Sequence, residues 1–310
     1  MSEGDGKISA GMPLGAILAA GALCLIFGAN TVAIKISLNG PGQFTVAAIR
    51  FGMAGMVILM WTLITGQPLK VPRGKRHHVA IITLTFFLQL TLFYTGLNHT
   101  LASRGALLAN VQPFLVLCLA HFFIPGDLIT MRKIVGILLG FSAVVVVLMD
   151  NGTLSGSWHL GDVTVLLAAL TWACNVIYIK RLLEHISPIQ IVLCQTLFSA
   201  PLFTLAALAF QEPWSGFSSP VWAAILYQGL MATAFGFVAW NRLLQRHGAV
   251  ALHAFIFLMP ISGVALGGVI LGEPISYRLV VALLLIVAGI MTVNARARRQ
   301  QLMVHPGRHV

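Results

Sequence analysis

A single guanidinium, Arg50, stands inside "FTVAAIRFGMAGMVILMW" (residues 44–61), a run that carries no other charge. Holding an arginine in the middle of hydrocarbon costs roughly 2.5–3.5 kcal/mol on insertion scales, so something must compensate it. The chain's carboxylates do not. Its eight acids are Glu3, Asp5, Asp127, Asp150, Asp162, Glu184, Glu212 and Glu273, and all fall in tails, in connections or at the ends of apolar runs. Two readings follow. Arg50 lies eight residues past Gly42, about 12 Å along a helix, near enough to snorkel outward. Alternatively it faces a wet central cavity and pairs with the negative group of a substrate, such as an amino acid or an organic anion.

Other polar groups in apolar runs are candidates for the same wall. Asn30 and Asn175 follow Phe27 and Trp172 by three residues each, and an amide supplies both the donor and the acceptor that an α-amino acid needs. Gln195 occupies the place in a later run that Arg50 holds in an earlier one. Gln89, Tyr94, Asn110, Gln228 and Trp240 complete the candidate substrate-binding set, with Trp172 as a possible cavity wall. Thr91, Tyr94 and Asn98 share one helical face and Gln89 points elsewhere, so only one of these groups can line a given wall. Each of these side chains has an alternative use in helix–helix hydrogen bonding or packing. Pro113 and Pro260 are expected near the middle of their helices, where each removes a backbone hydrogen bond and crowds a carbonyl, at Ala109 and Ile256. A static kink and a hinge are both open. His253, and beside it His121, is a candidate proton carrier.

No metal or cofactor chemistry is indicated. Cys24, Cys118, Cys174 and Cys194 sit in apolar runs without a CxxC pair, "HH" at 77–78 lacks metal-pair spacing, and no HExxH occurs. A membrane-embedded enzyme would need such a cluster or a nucleophile at the interface, and a channel would need rings of charge or a filter sequence. The chain also lacks GxxxxGK[ST], so ATP is not its direct energy source.

The elements that must position these residues are membrane helices. The 310 residues are 58% hydrophobic and 9% charged, with a mean hydropathy of +0.92, where soluble domains carry about 25% charge. Ten spans are predicted, near 13–34, 42–64, 79–97, 101–123, 131–149, 161–180, 189–210, 220–241, 249–271 and 277–294, each close to the roughly 20 residues that cross a bilayer. The acidic start "MSEGDGK" is a poor signal-peptide n-region, and the first run is expected to remain as a span. With the N-terminus placed inside, fifteen of the nineteen Lys and Arg fall in inside segments, Lys70–Arg76 and the tail after 295 among them. Lys35, Arg104 and Arg278 fall outside and Arg50 stays in its span, so both termini are expected in the cytoplasm. That distribution accounts for the net charge of +11 without a nucleic-acid partner.

The chain also repeats. "IFGANTVAIK" (26–35) aligns with "TWACNVIYIK" (171–180), which puts Asn30 opposite Asn175 and Arg50 opposite Gln195, and "ASRGALLANVQP" (102–113) aligns with "AVALHAFIFLMP" (249–260). Five spans per half is an odd number, so the halves run oppositely through the membrane, a plan common in secondary transporters. With "FGANTVAIK", "AAIRF", the paired prolines and "LGEPIS" (271–276), the whole chain resembles the drug/metabolite transporter superfamily of the EamA type. The resemblance implies an all-α integral membrane fold: ten transmembrane helices as two inverted five-helix repeats around a central cavity. The expected domains are a cytoplasmic tail (1–12), the first repeat (13–149), the second (161–294) and a basic tail (295–310). It further implies a multi-pass protein of the bacterial inner membrane that exports or exchanges a small metabolite by alternating access. Its partners would be that substrate and the bilayer, with the oligomeric state open.

Overall fold

The computed structural model describes residues 13–124, 130–149, 160–182, 186–240, 242–243 and 255–303, with side chains to 293. The described elements are helices, as a bilayer requires of segments that must satisfy every backbone polar group internally. They are α1 (Leu14–Ser37), α2 (Gln43–Ile64), α3 (Arg76–Asn98, preceded by a short 3-10 turn), α4 (Ala102–Ala109), α5 (Gln112–Phe123), α6 (Met131–Leu148), α7 (Leu160–Leu182) and α8 (Pro188–Ala209). There follow α9 (Ser219–Leu226), which continues through a π-helical stretch (Tyr227–Phe235), then α10 (Leu258–Leu271) and α11 (Tyr277–Met303). Local chemistry sets the ends. Ser187 and Gln190 form a reciprocal capping box at the start of α8, and Gly272, at φ 65°, ends α10 in the left-handed conformation.

Eight segments, counting Ala102–Phe123 and Ser219–Trp240 as one each, are long and apolar enough to cross a bilayer, and Leu258–Leu271 and Tyr277–Val293 are shorter apolar helices. Together these are the ten predicted spans of a multi-pass membrane protein. The ninth is short because α10 begins only after a turn at Phe255–Phe257; its expected start, 249–254, lies outside the described residues.

Packing is symmetric between the halves. α2 lies along α8 and α6 along α11; α3 on α7 mirrors α1 on α9 and its π-helical continuation; α1 on α10 mirrors α7 on α4 and α5. Exchanging the halves maps the first two pairs onto themselves and exchanges the members of each mirrored set. Hydrogen bonds join the start of α7, at Asp162, to Thr100 and the start of α4, while Lys35 near the end of α1 reaches the end of α3. So α7 begins at the end of the bundle where α1 finishes, which is the inverted arrangement. Small residues permit the close approaches: a methyl at Gly136 would come within 3.0 Å of the Gly289 carbonyl, and one at Gly263 within 2.6 Å of the Ala106 side chain.

The prolines require a correction. Neither stands in mid-helix. α4 ends at Ala109, Asn110 and Val111 form a turn, and Pro113 is in the first turn of α5. Likewise Phe255–Phe257 form a turn and Pro260 is the third residue of α10. In a first turn the missing N–H would have had no helical partner, so proline is tolerated there. The first half therefore contains a helix interrupted two or three residues before its proline, and in the second half a described turn likewise ends three residues before Pro260.

Candidate functional site

Arg50 is buried, at 6% exposure, where α2 meets α3 and the π-helical stretch. Its Nη1 donates to the Tyr94 hydroxyl at 2.9 Å and to Gln228 Oε1 at 3.4 Å, and its Nε donates to Thr233 Oγ1 at 3.2 Å. The Tyr94 hydroxyl in turn donates to Gln228 Oε1 at 3.1 Å. Gln228 is oriented by α1, because its Nε2 donates to the Ala33 carbonyl and to Ser37 Oγ, which leaves Oε1 for the cation. Every partner of the guanidinium is neutral, and Nη2, with two of the five N–H donors, has no partner among the described residues. The site is a connected cradle of neutral groups around a positive charge that no carboxylate among the described residues balances. Low surrounding polarity strengthens whatever anion meets it.

The π-helical stretch makes this possible. Gln228 and Thr233 are five residues apart, which on an α-helix points them roughly 140° away from each other at 3.6 residues per turn. An i→i+5 helix stacks them instead, and the Thr233 hydroxyl bonds the Gln228 carbonyl at 2.7 Å. Arg50, Tyr94 and Gln228 were all legible as candidates. Thr233 and Ser37 were not, because a hydroxyl in an apolar run gives no sign of what it faces.

A second polar station lies along α3 toward the other end. Thr85 donates to Asn175 Oδ1 at 3.1 Å, and Gln195 Nε2 donates to the Ile82 carbonyl at 3.4 Å. Ile82 and Tyr94 are twelve residues apart, about 18 Å along the helix. Arg50 and its repeat mate Gln195 thus occupy separate levels. The remaining candidates divide. Gln89 and Asn30 each hold a buried side-chain oxygen with no hydrogen-bond partner among the described residues. Asn110 donates to the Ala106 carbonyl at 2.7 Å, closing the end of α4. Trp172 is 43% exposed, yet on α7 it lies opposite the exposed stripe of Val163, Leu167 and Leu170, so its indole borders open space on the inward side. Trp240 packs edge-on against Phe27, with centroids 5.9 Å apart. His121 is exposed at the end of α5, and His253 lies outside the described residues.

Carboxylates do act, but at the end of the bundle where α1 finishes. Glu212 accepts from the Phe44 and Thr45 amides and the Thr45 hydroxyl, capping α2 from the α8–α9 connection. Glu273 accepts from the Ala102 and Ser103 amides and the Ser103 hydroxyl, capping α4 from the α10–α11 connection. Arg104 and Asp162 form a buried ion pair, and the Thr100 hydroxyl donates to Asp162 at 2.6 Å. Each Glu ties a second-half connection to the helix of the first half that carries a candidate, Arg50 or Asn110. We term this the latched end, and the opposite one, with Lys70–Arg76, the basic end. Sequence spacing gave no sign of the latches, whose partners are about 170 residues away.

Comparison with known proteins adds a family. The sequence profile described as the EamA-like transporter family matches residues 14–149 and again 159–295. A Bacillus subtilis protein named "Uncharacterized transporter YetK" is 27% identical, over 89% of this chain and 86% of its own. A Salmonella typhimurium protein named "Probable amino-acid metabolite efflux pump" is 25% identical, over 86% of this chain and 90% of its own. A solved crystal structure covers 93% of this chain and 99% of its own with a TM-score of 0.68 at 20% identity, a likeness of fold.

Proposed function

The chain belongs to the EamA-like transporter family, and from that premise we propose that it is a secondary carrier that exports or exchanges a small carboxylate-bearing metabolite, most simply an amino acid, by alternating access. The observation that carries the substrate class is Arg50: a buried guanidinium, cradled by neutral acceptors, with one amino group unused. A substrate carboxylate would meet Nη2, and the unpartnered oxygens of Asn30 and Gln89 suit an ammonium group. The Salmonella relative's name agrees with that chemistry. The turns before Pro113 and Pro260 are the proposed hinges, and they stand at matched places in the two repeats, 13–149 and 161–294. Fifteen-to-three basic bias assigns the basic end to the cytoplasm of a bacterial inner membrane, and a cysteine at Ser215 rather than Gly74 should label with an impermeant thiol reagent in intact cells. Substrate and bilayer are the proposed partners, with no nucleic acid, cofactor or catalytic step.

Counterflow in liposomes tests the reading. Radiolabelled amino acid should accumulate transiently against unlabelled internal amino acid, as a carrier and not a channel allows. Arg50→Lys keeps the charge but loses the planar fork, and Arg50→Gln loses both. Affinity should fall about ten- to hundredfold in Arg50→Gln, the size of a charged hydrogen bond. Unchanged affinity at equal abundance would remove Arg50 from the substrate site.

A further inference from the structure

A crevice of about 980 Å³ runs between α3 and α8 from the basic end, and none of the Arg50 cluster lines it. Its mouth carries Lys70, Arg73 and Arg76; Leu84, Phe198 and Leu202 form its apolar walls. The three cations are exposed and make no salt bridge among the described residues. Leu84 and Phe198 are exposed too. On α8, Phe198 belongs to the outward stripe with Leu205 and Leu208, so the crevice opens sideways to hydrocarbon and not into the bundle. Inside it lies Thr83, 4% exposed, whose hydroxyl has no hydrogen-bond partner among the described residues. A positive mouth over an apolar slot, with a buried donor between, matches one kind of molecule.

We propose that this crevice binds an anionic phospholipid. The phosphate sits on Lys70, Arg73 and Arg76, an acyl chain lies between Leu84 and Phe198, and the Thr83 hydroxyl donates to a glycerol-ester oxygen. Cys194 to Leu202, the stretch of α8 along the slot, is about 12 Å long at 1.5 Å per residue, which accommodates a substantial part of a chain. The site is distinct from a general attraction of basic residues to the membrane surface. Lys75 belongs to the same basic segment but does not line the crevice. The proposal rests on the membrane reading and is independent of the substrate assignment.

Native mass spectrometry of the full chain, titrated with dioleoyl phosphatidylglycerol or with dioleoyl phosphatidylcholine, measures it. Phosphatidylglycerol should be retained in preference. Each charge near an anionic lipid contributes about a fivefold factor, so Lys70→Gln/Arg73→Gln/Arg76→Gln should weaken retention roughly a hundredfold. Lys75→Gln should retain the lipid as the parent does. Ala80→Phe, which fills the slot and leaves the cations intact, should also lose it, and Thr83→Val should weaken it modestly. Equal loss in Lys75→Gln and Arg73→Gln would reduce the effect to surface potential and overturn the site. So would full retention in Ala80→Phe, or displacement of the lipid by inorganic phosphate at matched concentration. The readout is lipid mass, so failure here leaves the carrier reading standing, and failure of counterflow leaves this site standing.

Discussion

The two ends of the bundle use charge differently. At the latched end Lys35, Arg104, Asp162, Glu212, Glu273 and Arg278 are all bonded within the protein: the acids on helix starts or on Arg104, Lys35 on the Leu97 and Thr100 carbonyls, Arg278 on the Met149 carbonyl. The acids sit at helix starts and Lys35 and Arg278 on carbonyls at helix ends, as the dipoles favour, while Arg104, itself in the first turn of α4, is held by Asp162. At the basic end Arg181 likewise sits on a helix-end carbonyl, that of Phe123, but Lys70, Arg73 and Arg76 line the mouth of an open crevice. The repeat makes the contrast sharper, because the backbones correspond and the charges do not. The repeat mate of Glu212 is the exposed Gln67, and the start of α8, which corresponds to the start of α2, is closed by its own Ser187–Gln190 box. That box is local and neutral, with one further bond from Gln190 Nε2 to the Lys70 carbonyl, whereas at the latched end a carboxylate on a distant helix start receives several donors at once. Both ends are tied across the halves, the basic end through His78–Tyr178, Arg181 on the Phe123 carbonyl and Gln190 on the Lys70 carbonyl. Among the described residues only the latched end uses buried carboxylates, an asymmetry that alternating access can exploit.

The largest effect that would separate the ends is at Asp162. It is 2% exposed and receives Arg104 and the Thr100 hydroxyl. Asp162→Ala leaves a buried guanidinium without its counterion, a change that costs about 3–5 kcal/mol. Thermal melting of the purified protein should show that loss, and the double variant Arg104→Met/Asp162→Ala should recover part of it. A loss below about 1 kcal/mol, the range of a surface pair, would erase the distinction between the ends.

Next come the latches themselves. Glu273→Ala strands two backbone amides and a hydroxyl at a site only 9% exposed, and should cost about 2–3 kcal/mol. Glu212 makes the same three kinds of contact from a half-buried position, so water can replace it and Glu212→Ala should cost about 1 kcal/mol. Melting shifts in that order support burial as the cause. The reverse order would assign the stability to the α8–α9 connection and not to the carboxylate.

What was legible in the sequence follows from range. Ten apolar runs, the repeat and the isolation of Arg50 are patterns along the chain, and hydrocarbon imposes them on every span separately. Most span boundaries fall within a few residues of those read from the sequence because Gly, Pro and charge cluster where a helix must leave the bilayer. The partners of Arg50 were half legible: Tyr94 and Gln228 stand out as polar groups in apolar runs, but Thr233 reaches the guanidinium only through a π-helical stretch that no residue spacing announces. The latches were invisible for the opposite reason. Glu212 and Glu273 lie in connections, where acids are ordinary, and only folding shows that each caps a helix of the other half. Proline position failed through continuity. An uninterrupted apolar run from 101 to 123 conceals the turn at Asn110–Val111.

That turn yields a smaller effect of definite sign. A proline in mid-helix forfeits about 3 kcal/mol, which alanine would regain. In a first turn proline forfeits no bond and restricts the unfolded chain, so Pro113→Ala and Pro260→Ala should each lose about 0.4–1 kcal/mol. Melting should fall slightly in both. A gain of several kcal/mol in either would place that proline inside a continuous helix. If the interruptions are hinges, the same variants should also slow exchange at nearly unchanged stability, because an alanine lets the two segments join.

The smallest effect belongs to the basic end, and its smallness is the point. Arg73 and Lys75 have no salt-bridge partner among the described residues, and neither side chain donates a hydrogen bond to a described neighbour that would be lost on replacement. In detergent free of anionic lipid, Arg73→Gln and Lys75→Gln should therefore each leave stability within about 0.5 kcal/mol of the parent. Adding phosphatidylglycerol should then split them. A ligand that binds only the folded form raises its melting temperature, so the parent and Lys75→Gln should gain alike while Arg73→Gln, which lines the crevice, gains less. A large loss in detergent alone would mean that the basic end is fastened by its charges as the latched end is, and the asymmetry between the two ends would have to be sought elsewhere than in charge.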